Sequence, residues 1–138
     1  MKKEKLRVIL DTNVIISATH HRSVNPIGIF KLVILNKVEG FISEEIIAEI
    51  LGVLEKKFGF KTKVLAEIEA SLREDFTMVY PIERVNVVRD PDDNKFIEAA
   101  VEGKCSYIVS GDRDLLDLKK YKNIKILNPA EFLKEFEK

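Results

Sequence analysis

The chain has 138 residues, 46% of them apolar and 33% charged, enough for one hydrophobic core and a single expected domain over residues 1–138. Its 23 basic and 23 acidic residues cancel, which argues against a bulk electrostatic grip on nucleic acid but leaves room for a local basic rim. The lone Cys105 excludes an internal disulfide. No apolar run reaches the ~18 residues of a membrane span. The opening "MKKEK" leads into a strand rather than a secretory segment, so a cytoplasmic protein without membrane contact is expected.

Taken in chain order, short β-branched runs alternate with longer segments of helical period. Arg7–Leu10 ("RVIL") reads as a buried strand ending on an acid, Asp11. A helix is expected over 26–36, with Asn25 as its cap and Pro26 at its first position. A strand follows over 38–42. The next helix, 44–57, is capped by Ser43, with Glu44 and Glu45 in the first turn. Then come a helix over 61–74 and a strand over 76–80. Asp90 and Pro91 open a helix over 91–102, which leads into the apolar strand 107–110. A short helix over 113–118, the strand Ile124–Leu127 and a helix Pro129–Glu137 capped by Asn128 complete the chain. This alternation predicts an α/β fold, a three-layer α/β/α sandwich on a mostly parallel sheet.

In such a sheet the carboxyl ends of the strands share one edge with the starts of the following helices, and ligands gather there. Asp11 closes the first strand, and Asp112 follows "YIV" across the turn at Gly111. Asp93 lies three before Phe96, four before Ile97 and seven before Ala100, so it shares the apolar face of its helix and points inward, whereas Asp92 points elsewhere. Glu49 falls at the margin of the stripe formed by Ile46, Ile47, Ile50, Leu51 and Leu54, while Glu45 lies opposite it. Each acid taken alone also fits a structural role: Asp93 and Asp112 as helix caps, Glu49 as a solvated helix residue. Asp11 is the hardest to place that way, because only Arg7 lies near enough in sequence to neutralise it. Carboxylates converging on one rim repel unless a cation sits among them. The matching ion is Mg²⁺ or Mn²⁺, which takes oxygen ligands, acidifies bound water and stabilises phosphoryl transition states.

"VILDTNVIISA", "SEEIIAEILGVL", "DPDDNKFIEAA" and "YIVSGDRDLLDL", in that order, resemble the PIN-domain ribonucleases. The likeness is strongest to the branch of toxin components from prokaryotic toxin–antitoxin systems. It extends through the closing "IKILNPAEFL". The resemblance implies four site acids, Asp11, Glu49, Asp93 and Asp112, with Asp114 as an auxiliary metal carboxylate. It further implies polar support from Thr12 or Asn13 and a supporting hydroxyl from Ser110. The implied activity is metal-dependent endonucleolytic cleavage of single-stranded RNA, leaving 5′-phosphate and 3′-hydroxyl ends. Homodimers and inhibition by a small antitoxin protein are also implied.

Candidates for holding RNA sit in "EKKFGFKTK", where Lys57 and Lys61 could meet phosphates and Phe58 and Phe60 could stack on bases. The alternative there is a solvated basic turn with its rings packed inward. His20, His21 and Arg22, in the loop after the first motif, are further candidates. Two other functions compete. A haloacid-dehalogenase-like phosphotransferase would use Asp11 as nucleophile, but the acid it needs two residues later is Asn13 here. A non-catalytic PIN-like binding module would not need the complete acid set.

Overall fold

A computed structural model describes residues 4–20 and 23–138. Six strands form one sheet in the order β3-β2-β1-β4-β6-β5, built from β1 (Arg7–Leu10), β2 (Glu39–Ser43), β3 (Thr77–Val79), β4 (Tyr107–Val109), β5 (Lys120–Tyr121) and β6 (Ile124–Leu127). Every pairing is parallel except the β5–β6 hairpin. The helices are α1 (Thr12–Thr19), α2 (Val24–Ile34), α3 (Glu44–Phe58), α4 (Thr62–Asp75), α5 (Asn94–Glu102), α6 (Arg113–Leu116) and α7 (Pro129–Glu137), and a 3₁₀ turn, Pro91–Asp93, leads into α5. The arrangement is the expected three-layer α/β sandwich. No helix among the described residues is long and apolar enough to cross a membrane.

Both faces of the sheet are covered, and two successive residues of β2 show how. Side chains alternate along a strand, so Gly40 and Phe41 point to opposite layers. A Cβ on Gly40 would come within 2.8 Å of the Phe76 ring and 3.1 Å of Val33 in α2. Phe41 packs the other way, where a Cβ on Gly103, just past α5, would lie 3.1 Å from its ring. The central β1 has Val8, Ile9 and Leu10 all buried, as a doubly covered strand requires.

Two expectations change before β2. No helix is expected between the first strand and Asn25, yet α1 follows β1 with only Asp11 between them. Its sequence, "TNVIISAT", is rich in β-branched residues of modest helix propensity, and Thr12, Val14, Ile15, Ile16 and Ala18 are all buried. A helix buried on most sides shows no polar stripe, so the usual periodic signal is missing. The second helix begins at Val24 with Ser23 as its cap, rather than at Pro26 after Asn25. Proline fits inside that first turn because its missing N–H has no helical acceptor there.

The sheet order positions the site. The chain leaves β1 toward β2 and β3 on one side, then returns to β4 on the other, which makes the β1–β4 edge a switch point. The return passes through a strap without regular structure, held by two buried side chains of α5. Asn94 Oδ1 accepts from the Val87 and Val88 N–H groups at 3.0 Å each, and Glu98 accepts from Val85 N–H at 3.0 Å. These bonds fix the segment that delivers Asp90 and Asp93 to the edge.

Candidate metal centre

Asp11 continues the β1–β4 ladder by one rung, its N–H donating to Val109 C=O at 3.0 Å. Its Oδ1 accepts from Val14 N–H at 2.8 Å and so caps α1. Its Oδ2 accepts from the Ser110 hydroxyl, whose oxygen accepts in turn from Asp112 N–H at 2.9 Å. Ser110 thus ties the ends of β1 and β4 together. Burial pushes the Asp11 carboxyl up to about 6, against these hydrogen bonds and with the Asp112 and Glu49 charges adding to the rise. Arg7 does not neutralise it. That guanidinium pairs with Glu39 at 3.7 Å and lies 4.8 Å over the Phe41 ring.

Asp112 caps α6, its Oδ1 accepting from Asp114 N–H at 2.8 Å. Asp93 ends the 3₁₀ turn. The turn replaces the first turn of the expected α-helix because Asp90 C=O accepts directly from Asp93 N–H, an i to i+3 bond. Asp93 is buried and Asp92 exposed, as the helical-face argument predicts. Burial first, then a side-chain hydrogen bond with the Asp112 carboxyl and the charge on that group, pushes Asp93 up to about 7. Its Oδ2 is buried without a hydrogen-bond partner. A buried carboxylate oxygen left unpaired beside like charges is costly, and a cation is the natural occupant of its free side.

Glu49 reaches the same place from α3, half-buried at the edge of the apolar stripe. One of its oxygens accepts from the Thr12 hydroxyl, the other from the Lys95 ammonium at 2.6 Å. Asp11, Glu49, Asp93 and Asp112 all line one cavity of about 210 Å³, together with Thr12, Asn13, Val53 and Phe96. The four acids are therefore brought together, with Thr12 and Asn13 beside them and Ser110 behind Asp11. Capping and convergence turn out to be compatible, since Asp11 and Asp112 do both.

Asp114 is not on the wall of this cavity. A carboxylate oxygen of Asp114 lies within 4.8 Å of one on Asp90 and one on Asp93, a second grouping that shares Asp93, and Arg89 stands 3.4 Å from Asp114. Asp90 was read from sequence as a cap alone. It is one, accepting from Asp92 N–H at 3.0 Å, and its spacing of three from Asp93 was the signal that it could also face the site. The sequence does not single out Lys95. Its only mark in the sequence is a lysine set between acids and the buried start of α5.

The basic turn lies apart from the cavity. Lys57 and Lys61 are exposed, eight and twelve residues past Glu49, which puts Lys57 roughly 12 Å further along α3 and Lys61 beyond its end. Phe58 and Phe60 are partly buried against the core, which favours the inward-packed reading of these rings, and their ring centroids lie 4.2 and 5.3 Å from the exposed His20 imidazole. His21 and Arg22 lie outside the described residues.

Residues 7–114, which contain every acid of the cavity, match the PIN domain family. The chain belongs to the PIN-domain family. Along its whole length it is 36% identical to the uncharacterized protein MJ1680 of Methanocaldococcus jannaschii, of which 96% is covered. The crystal structure of PAE2754 from Pyrobaculum aerophilum shares the fold, with a TM-score of 0.60, 16% identity and coverage of 96% of this chain and 90% of that one. PIN domains are generally nucleases that use divalent metals. The acids of this PIN domain suit such an ion: oxygen donors only, two carboxyls pushed up by burial, and one buried oxygen left without a partner.

Proposed function

We propose that the protein is a divalent-metal-dependent endoribonuclease that hydrolyses phosphodiester bonds of single-stranded RNA. The observation that carries this reading is the buried, unpaired Oδ2 of Asp93 in a cavity walled by three further carboxylates at the switch point of a PIN fold. Asp11, Asp93 and Asp112 would hold Mg²⁺ or Mn²⁺, with Asp114 and Asp90 at its outer side. When bound, the ion supplies an acidified water and neutralises charge at the scissile phosphate.

The chain's own residues set up the rest. Ser110 and the Val14 N–H fix the Asp11 carboxylate, so its orientation is set before any substrate arrives. Thr12 fixes Glu49 in the same way. Phe96 and Val53 form the apolar part of the wall, which lowers the local dielectric and strengthens each charge interaction inside. No histidine or cysteine among the described residues lines the cavity, so a side-chain nucleophile there would be a carboxylate or the Thr12 hydroxyl; the PIN match and the amide at Asn13 count against the phosphotransferase alternative.

The toxin role, a homodimer and a small antitoxin partner rest on the motif resemblance. Growth arrest on expression, relieved by a neighbouring small reading frame, tests them. For the chemistry, the test is cleavage of a fluorescent single-stranded RNA in Mn²⁺, with a duplex of the same sequence as control. Cleavage should vanish with a chelator and fall by about a thousandfold or more in Asp93→Asn. Undiminished cleavage by Asp93→Asn would remove the proposal.

A further inference from the structure

Glu49 differs from the other acids of the cavity in what it touches. Both of its oxygens are engaged, one by the Thr12 hydroxyl and one by the Lys95 ammonium at 2.6 Å. The Lys95 and Glu49 side chains are 16% and 28% exposed, so the pair is partly desolvated rather than a solvent-screened surface contact. No cation among the described residues pairs with Asp11, Asp93 or Asp112. Among the described residues their hydrogen-bond donors are neutral, a hydroxyl and backbone amides, and Asp93 keeps one oxygen bare. Lys95 follows Asp93 by two residues, so the same turn that brings in the bare carboxylate also carries the cation that claims Glu49.

We propose that Lys95 is a positioning residue that serves as a built-in second cation: by holding Glu49, it leaves the cavity to one divalent ion, bound through Asp11, Asp93 and Asp112, with Glu49 outside its ligand set. The proposal rests on the reading of the cavity as a cation site. A lysine ammonium and a metal ion compete for the same carboxylate oxygen. Removing the ammonium frees an oxygen and a negative charge together, and both favour a further ion. Removing the pair together leaves net charge unchanged.

The test is Mn²⁺ titration by calorimetry, with electron paramagnetic resonance of the bound ion, on three full-length proteins: wild type, Lys95→Met, and Glu49→Gln with Lys95→Met. Lys95→Met should bind one more Mn²⁺ than wild type and show the broadened spectrum of two coupled ions. The double variant should return to the wild-type number, with affinity within about threefold. Because it is charge-balanced and close in shape to the native pair, it also decides the matter if Lys95→Met does not fold. An unchanged Mn²⁺ number in Lys95→Met, or a loss of about tenfold or more in the double variant, overturns the proposal, the second because it makes Glu49 a ligand. Wild type that binds Mn²⁺ while Lys95→Met behaves identically removes the Lys95 role alone. Wild type that takes up no Mn²⁺ removes the cation reading as well.

Discussion

Two groups of charged residues in this molecule use carboxylates to opposite effect. On the surface, Arg73 of α4 reaches Glu44 at 2.6 Å and Glu69 at 2.9 Å, joining α4 to the start of α3. Glu44 is held below its ordinary range by that guanidinium, and Arg73 is pushed up in return. In the cavity, Asp11 and Asp93 pair with no cation among the described residues and are pushed up by burial to about 6 and about 7. The difference lies in solvent and pairing. An exposed acid with a partner tolerates its charge easily and contributes little, whereas a buried acid without one opposes folding in its charged form. Carboxylates kept in that second condition point to a ligand rather than to stability.

Asp11→Asn should break the comparison most sharply. Asparagine can still cap α1 through Val14 N–H, so the fold is expected to persist while Mn²⁺-dependent RNA cleavage falls by about a thousandfold or more, as read in the fluorescent assay. In chelator at pH 8 the same variant should melt several degrees above wild type. An ionised Asp11 with a carboxyl raised to about 6 costs on the order of 3 kcal/mol of folding free energy relative to its protonated form.

The pH dependence should be next in size, and its sign follows from the direction of each shift. A carboxyl whose folded value lies above its unfolded value favours the folded state while protonated. Its penalty is absent below about 4, grows as pH rises through the folded value and is complete above about 7. The melting-temperature gap between Asp11→Asn and wild type in chelator should therefore widen from pH 4 to pH 7. Adding Mn²⁺ should raise the wild-type melting temperature more at pH 8 than at pH 5, because protons compete for the same oxygens. A gap that stays flat across this window would mean that the cavity carboxyls titrate normally.

Arg73→Ala should have the smallest effect. Its contribution is present above the ordinary carboxylate range and lost as pH falls through the lowered Glu44 value, the reverse of the cavity. Thermal melts should show a change close to experimental error at neutral pH, smaller still in 1 M salt, and none below the range where Glu44 ionises. Cleavage should be untouched.

Much of the site was legible because it depended on local geometry. The inward turn of Asp93 and the outward turn of Asp92 follow from helical period, and the place of Asp11 and Asp112 follows from strand ends in a parallel sheet. What escaped was set by contacts across the chain. α1 was hidden because its burial on most sides erased the polar stripe that marks a helix. Asp90 was hidden behind a capping role it does fill. The Phe58 and Phe60 rings could have faced RNA or the core, and only their packing against the core decided it.

By itself, then, the order of apolar and polar residues determined the α/β layers, the parallel edge and the four acids that meet there, since each follows from period and from the direction of a strand or helix. Which cation faces which carboxylate was decided only in three dimensions. Arg7, near Asp11 in sequence, pairs with Glu39, while Lys95, 46 residues from Glu49, meets it directly. The physical reason is that charge pairing acts through space over a few ångströms, and only the packing of α3 against α5 sets that distance.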